Sequence, residues 1–350
     1  MTIVEALDGL LECAGSDLLI SAGASPRIRR DGGLVALDET CPPLTAEQSA
    51  KMVRDVLSPD QMNELESARS VDFAFTWRDR VRIRGNAYYQ RSTIAAAFRM
   101  LPLRIPTFEE LGVPEVCYRL VGRHQGLILV TGPTGSGKST TQAAMIDYLN
   151  RTRPCHIVTV EDPVEYVHRH QAAIVDQREV GADAASFPEA LRAVFREDPD
   201  VVLIGEMRDL ETMAAALTIA ETGHLVLATL HTNDASQAID RVLDAFPAGQ
   251  QQQVRIQLSA SLAGVIYQQL LPAIGGGRVA AFEILVATSA VRSLIKEGKT
   301  NQIRNAIQSN LREGSQTLER ALSVLLQSGL VSDQDARARS LYPQEISAGV

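Results

Sequence analysis

Between residues 126 and 230 the chain repeats one hydrophobic pattern. A short unbroken apolar run is followed by a stretch long enough for a helix, in GLILV (126–130), HIVTV (156–160), VVLIG (201–205) and HLVLATL (224–230). Strands buried on both faces read this way, so the pattern predicts a mainly parallel sheet flanked by helices. One intervening helix carries its own start signal. Ser186 stands three residues before Glu189, a capping-box spacing, and Leu191, Val194 and Phe195 follow on one face. It is expected to stop near Asp198-Pro199. The C-terminal third is expected to be mostly helical. In SQTLERALSVLLQSGL, Leu318, Ala321, Leu322, Leu325 and Leu326 form an apolar stripe, with Gly329 placed as a C-terminal cap.

The first 104 residues have a different texture. GSDLLISAGASPRIRRDGGLVAL alternates short apolar runs with Gly, Pro and Asp-Gly, which predicts strands and hairpins. TAEQSAKMVRDVLSPDQMNELES reads as two helices broken at Ser58-Pro59, and FAFTW with RVRIRGNAYYQ as a strand pair. The segment LPLRIPTFEELGVP then holds Pro102, Pro106 and Pro114, which suits a semi-rigid connector. These readings give an α+β domain over 1–104, a linker over 105–114 and an α/β domain over 115–350. A chain of 350 residues also exceeds the usual span of one hydrophobic core.

Composition narrows the function classes. A net charge of −8 argues against a general nucleic-acid binder, and 45% hydrophobic with 22% charged residues is ordinary for a globular protein. Cys13, Cys41, Cys117 and Cys155 are scattered without a CxxC pair, which disfavours zinc and a disulfide framework. The start, MTIVEALDGLLE, is acidic where a signal peptide would be basic. No apolar run approaches the ~18 residues of a membrane span. A soluble, cytoplasmic protein is expected.

The strongest chemical signal is GPTGSGKST, which follows GLILV and precedes the helix-like TTQAAMIDYLN. This is G-x-x-x-x-G-K-[ST] in its strand–loop–helix setting. Gly132, Pro133, Thr134, Gly135, Ser136, Gly137, Lys138, Ser139 and Thr140 would form the phosphate cradle. Its glycines let backbone N–H groups converge on phosphates at a helix N-terminus. Lys138 would neutralise β- and γ-phosphate oxygens, and the Ser139 hydroxyl would ligate Mg²⁺.

Two acidic strand ends supplement it. In PDVVLIGEMRD, Gly205 stands where many phosphate-loop enzymes have a magnesium-binding Asp, and Glu206 follows. Glu206 either orders a magnesium-bound or attacking water or caps the next helix. In HIVTVEDPVEYVH, Glu161 and Asp162 end an apolar strand, where ligands bind in open α/β sheets. Glu161 is the candidate to polarise the attacking water, by general-base action or by orientation, set against a purely structural turn acid.

Only six histidines occur in the chain. His224 and His231 flank one predicted strand, which puts them ~23 Å apart on opposite faces, too far to share a metal or a proton. His231 falls on the edge that carries the phosphate loop and is a candidate sensor of the γ-phosphate or its water. His224 reads as a structural residue. In RVRIRGNAYYQ, Arg80, Arg82 and Arg84 alternate on one strand face. They either decorate a solvated edge strand or face a phosphate, as arginines supplied from another domain or subunit do.

Together these stretches resemble the secretion-type ATPase superfamily, and within it the type IV pilus retraction ATPase family. GPTGSGKST is similar to its Walker A, TVEDPVEYVH to its Asp box, REDPDVVLIGEMRD to its atypical Walker B and TGHLVLATLHTN to its His box. QQLLP near residue 270 and GSDLLISAGASPRIRRDG extend the likeness over nearly the whole chain. LLPAIGGGRVAAFEIL lacks the four-cysteine zinc motif of the assembly and type II secretion relatives. AVRSLIKEG resembles the retraction signature AIRNLIRE, departing at Val291, Ser293 and Lys296. The resemblance implies a PAS-like N-terminal domain, a RecA-like ATPase domain with a helical C-terminal region, and homo-hexameric rings. It implies ATP and Mg²⁺ as ligands and Arg82 and Arg84 reaching a nucleotide. It further implies cytoplasmic motors bound at the inner membrane to a pilus platform protein, acting on no nucleic acid. The alternatives are an assembly or type II secretion ATPase and an accessory retraction paralogue. Outside the superfamily stand a small-molecule P-loop kinase and a nucleotide-dependent scaffold without turnover.

Overall fold

The break read at Ser58-Pro59 is a helix start in the computed structural model, which describes residues 1–13, 15–30, 33–78, 81–101 and 104–347. Arg80 and Pro102 lie outside the described residues. Two compact units divide the chain: Met1–Arg104 with Glu165–Val167, and Ile105–Val164 with His168–Val350.

In the first unit three helices open with the same device. Thr2 with Glu5, Thr45 with Gln48 and Ser58 with Gln61 form reciprocal capping boxes at α1 (Ile3–Glu12), α2 (Ala46–Arg54) and α3 (Pro59–Ala68). Each such cap contributes about 1 kcal/mol, and Pro59 fits because the first helical position needs no N–H. The strands are β1 (Asp17–Ile20), β2 (Arg27–Arg30), β3 (Gly33–Ala36), β4 (Ser70–Trp77), β5 (Val81–Gln90) and β6 (Thr93–Met100). They form one antiparallel sheet in the order β3-β2-β1-β6-β5-β4. Leu7, Leu18, Ile83 and Phe98 are fully buried in its core. This is the α+β domain that the N-terminal pattern predicts.

The second unit begins earlier than the linker reading allows. Phe108 and Val113 are buried with Leu120 and Met145, and the Phe108 ring lies 4.8 Å from Tyr118 and 5.7 Å from Tyr148. The segment 105–114 is therefore a packed element of this unit. Its prolines restrict φ, and the apolar residues between them bury it.

After α4 (Val116–Val121) come β7 (Gly126–Thr131), α5 (Lys138–Thr152), β8 (His156–Glu161), β9 (Ile174–Glu179) and α6 (Phe187–Val194). Next are β10 (Val201–Ile204), α7 (Leu210–Glu221), β11 (Leu225–Leu230), α8 (Ala235–Asp244) and α9 (Ala248–Ser261). The sheet order is β13-β12-β7-β11-β10-β8-β9, parallel except where β12 meets β13. Every residue of β7, β10 and β11 is buried, as continuous apolar runs require. Successive side chains alternate faces. Leu127 and Leu129 join the core with α6 to α9, while Ile128 and Val130 join the core with α4 and α5.

Within the mostly helical C-terminal third, β12 (Leu262–Pro272) and β13 (Arg278–Val286) form a long hairpin that no sequence motif had singled out. Their turn contains Gly276 and Gly277 at φ 91° and 75°. A buried apolar run does not reveal its period, but the Gly-rich turn and the β-branched and aromatic residues Val265, Ile266 and Tyr267 are strand signals. Helices resume beyond it: α10 (Ser289–Lys296), α11 (Ile303–Ser309), α12 (Leu318–Gln327) and α13 (Asp333–Arg339). Gly329 follows α12 with φ 68°, the left-handed cap expected there.

Candidate nucleotide site at the carboxyl edge of the parallel sheet

Three positive-φ glycines build the cradle between β7 and α5: Gly132 at 147°, Gly135 at 77° and Gly137 at 88°. Two of them also have no room for a side chain. A Cβ on Gly132 would lie 2.3 Å from the Gln268 carbonyl oxygen, and one on Gly137 would lie 2.9 Å from Gln268 Nε2. The ladder of α5 starts with Thr141 N–H donating to Gly137 O, so Lys138, Ser139 and Thr140 occupy the first turn. Helix geometry aims N–H groups there outward along the axis, towards an anion. Pro133, Thr134 and Gly135 are exposed, while Ser136 and Lys138 are buried.

Lys138 Nζ donates to Gly132 O at 2.9 Å and to Pro133 O at 3.0 Å, and lies 3.5 Å from His231 Nδ1. On its other side, His231 Nε2 lies 3.4 Å from Glu206 Oε1. Burial and the charge of Lys138 push the His231 imidazole below its ordinary pKa against the pull of Glu206. A neutral ring that accepts at Nδ1 and carries its proton on Nε2 fits both neighbours. Glu206 stays ionised, chiefly because Arg208 Nη2 bonds its Oε2 at 2.7 Å. Lys138, His231 and Glu206 thus form one continuous polar row.

Glu161 stands farther along the edge. Its Oε1 accepts from Thr159 Oγ1 at 2.7 Å and from Gln177 Nε2 at 3.2 Å. The strand order sets the sequence of groups across the edge: phosphate loop after β7, His231 after β11, Glu206 after β10, Glu161 at the end of β8. Gly205 makes their close approach possible, since a Cβ there would lie 3.2 Å from Glu161 Cα. Three strand spacings separate β7 from β8, roughly 14 Å.

His224 lies at the opposite end of β11. Its Nδ1 lies 3.1 Å from Ile219 O and 3.1 Å from Thr222 Oγ1, so it ties off α7 as the structural reading expects. Arg82 and Arg84 share one face of β5 in the first unit, Arg82 half-buried and Arg84 exposed. Three polar groups escaped the sequence reading: Gln268 behind the loop, Gln177 on Glu161, and Arg208 on Glu206. Arg208 was legible as a charge two residues past an acidic strand end. Gln268 opens the QQLLP stretch, but neither glutamine shows its partner in the local sequence.

Comparison with known proteins places the chain in a family. Residues 107–275 match the family described as type II/IV secretion system protein. The chain is 48% identical over 344 residues to the type IV pilus retraction ATPase PilT of Pseudomonas aeruginosa, covering 98% of this chain and 99% of that one. It is 44% identical over 327 residues to a twitching motility protein of Neisseria gonorrhoeae, covering 93% and 87% of the two chains. A crystal structure of the pilus retraction motor PilT with bound ADP superimposes with a TM-score of 0.93 at 50% identity, covering 99% of this chain and 98% of that one. Fold and likeness define the class, an ATPase with an N-terminal α+β domain and a RecA-like nucleotide-binding domain. Within that class the chain belongs to the PilT family of type IV pilus retraction ATPases.

Proposed function

We propose that this protein is a hexameric motor that hydrolyses ATP to ADP and phosphate and uses the energy to retract a type IV pilus. It works at the cytoplasmic face of the inner membrane against a pilus platform protein. Among the described residues no helix is long and apolar enough to cross a membrane, so attachment would run through that partner. The observation that carries the reading is the superposition on the ADP-bound retraction motor over 99% of the chain.

The site residues divide the chemistry. The loop from Gly132 to Thr140 holds the phosphates through backbone N–H groups, and Lys138 leaves its own loop carbonyls to meet β- and γ-phosphate oxygens. Oxygen donors suit Mg²⁺, and the half-buried Ser139 hydroxyl and ionised Glu206 supply them; Glu206 would act through a water. Bound there, the ion neutralises phosphate charge. Glu161, fixed by Thr159 and Gln177, orients or deprotonates the attacking water. His231, between Lys138 and Glu206, senses whether a γ-phosphate is present. Arg82 and Arg84 act on the nucleotide of a neighbouring subunit or a rotated domain.

Deletion of the gene, scored by counting surface pili and by motility on agar, tests the proposal. Retraction predicts surplus pili on non-motile cells. Bald cells would assign the protein to assembly instead.

A further inference from the structure

The glycines that let the phosphate loop curl also leave it with little conformational preference of its own. Something must hold it. Gln268, at the middle of β12 and 3% exposed, meets both ends of the loop. Its Nε2 donates to Ser136 O at 2.8 Å, and its Oε1 accepts from Thr141 Oγ1 at 2.7 Å. Its backbone carbonyl closes the space beside Gly132, and its amide closes the space beside Gly137. One planar group therefore ties the loop's last carbonyl-bearing turn to the first turn of α5.

We propose that Gln268 is a positioning residue for phosphate binding, holding the loop in the curvature at which its N–H groups converge. This rests on the reading of residues 132–140 as the nucleotide site. A side-chain amide supplies a donor and an acceptor side by side from one planar end. Glutamate would accept from Thr141 but oppose the Ser136 carbonyl, and asparagine is one methylene short. Methionine fills a similar volume while giving neither bond, which leaves two buried polar atoms unpaired. The strand side of this contact is rigid, because Gln268 is registered against Phe282 of β13 and its neighbour Tyr267 is parallel-paired with Thr131 of β7. The loop is thus fastened to the same sheet that supplies its own entering strand.

Fluorescent-ADP titration of the full chain, well below the melting temperature, tests this. The first comparison is wild type with Lys138→Ala: binding weakened about ten- to hundredfold in that variant supports the site itself, separately from Gln268, and unchanged binding rejects it. Gln268→Met is then expected to weaken ADP about ten- to thirtyfold, and Thr141→Val about three- to tenfold. The double variant should bind no more weakly than Gln268→Met alone, because the hydroxyl has already lost its partner. A merely structural role would lower the melting temperature and leave the ADP affinity of the folded protein unchanged, and that result overturns the proposal. So would losses that multiply in the double variant. Should Gln268→Met not fold, Thr141→Val decides: wild-type ADP affinity in that near-isosteric variant rejects the positioning role.

Discussion

Lys138 Nζ and His231 Nδ1 lie 3.5 Å apart although the two residues are 93 positions apart in sequence. Burial, with the Lys138 ammonium, holds the imidazole below its ordinary pKa, and the imidazole joins Lys138 to the Glu206 carboxylate. A phosphate that draws Lys138 away from its loop carbonyls would therefore be felt at once by His231.

Lys138→Ala removes a charge-assisted contact of ~1.5–3 kcal/mol, a ten- to hundredfold loss in nucleotide affinity if binding bears it all. Turnover should fall further, because charge developing on the transferred phosphoryl group loses its partner. Equilibrium ADP binding and phosphate release measure the two effects. Full hydrolysis in this variant would remove the loop from the mechanism.

The two carboxylates should separate by their dependence on magnesium. Glu161→Gln is expected to bind ATP normally and hydrolyse it ~10²–10⁴ times more slowly, the usual cost of a positioned base. Glu206→Gln should also slow turnover, with a higher Mg²⁺ requirement. Magnesium titrations of both variants that match wild type would show the division of roles to be wrong.

Arg82→Ala and Arg84→Ala should bind ATP through an intact loop yet hydrolyse it poorly. An arginine finger supplies ~10³–10⁵ in rate, and two arginines sharing the role would make each single loss smaller. Activity should also fall on dilution, along the same curve as the particle mass measured by light scattering. A monomer with full, concentration-independent activity would refute the ring.

The burial of Glu283 predicts a pH dependence of stability with a definite sign. Its carboxylate, buried on β13, accepts from Ala235 N–H at 2.8 Å and Leu318 N–H at 3.4 Å, at the starts of α8 and α12. Burial raises its pKa from the ordinary 4.5 to about 7. Between those values the folded chain holds a proton that the unfolded chain has released. The group's contribution is therefore complete below pH 4.5 and is lost as pH climbs to about 7, a swing of about 3 kcal/mol at most. Glu283→Gln should remove this decline, so that melting temperature rises more steeply with pH across that window than in wild type. An identical slope would show that Glu283 does not titrate there.

Legibility followed locality. The phosphate loop, the acidic strand ends and the strand between His224 and His231 each lie within about a dozen consecutive residues, where spacing alone constrains chemistry. The β12–β13 hairpin is not singled out by the sequence, because its apolar run is buried along most of its length and hides its period. Gln268 and Gln177 act across 132 and 16 positions respectively, through partners that only the sheet order brings near. Segment 105–114 misled for the opposite reason: its prolines were conspicuous, whereas Phe108 depends on Tyr118 and Tyr148 for its meaning.

The placement of β7 has a consequence for synthesis of the chain. Its two neighbours in the sheet, β11 and β12, are made long after it, and Gln268 arrives later still than His231. A ribosome that has passed Met100 has made every strand of the first sheet, but must travel beyond residue 268 before the phosphate loop has its backing. Until then GPTGSGKST is a glycine-rich tether with nothing behind it. A polypeptide interrupted anywhere between residues 140 and 260 would carry the loop's sequence without the Gln268 contacts that back it in the complete fold.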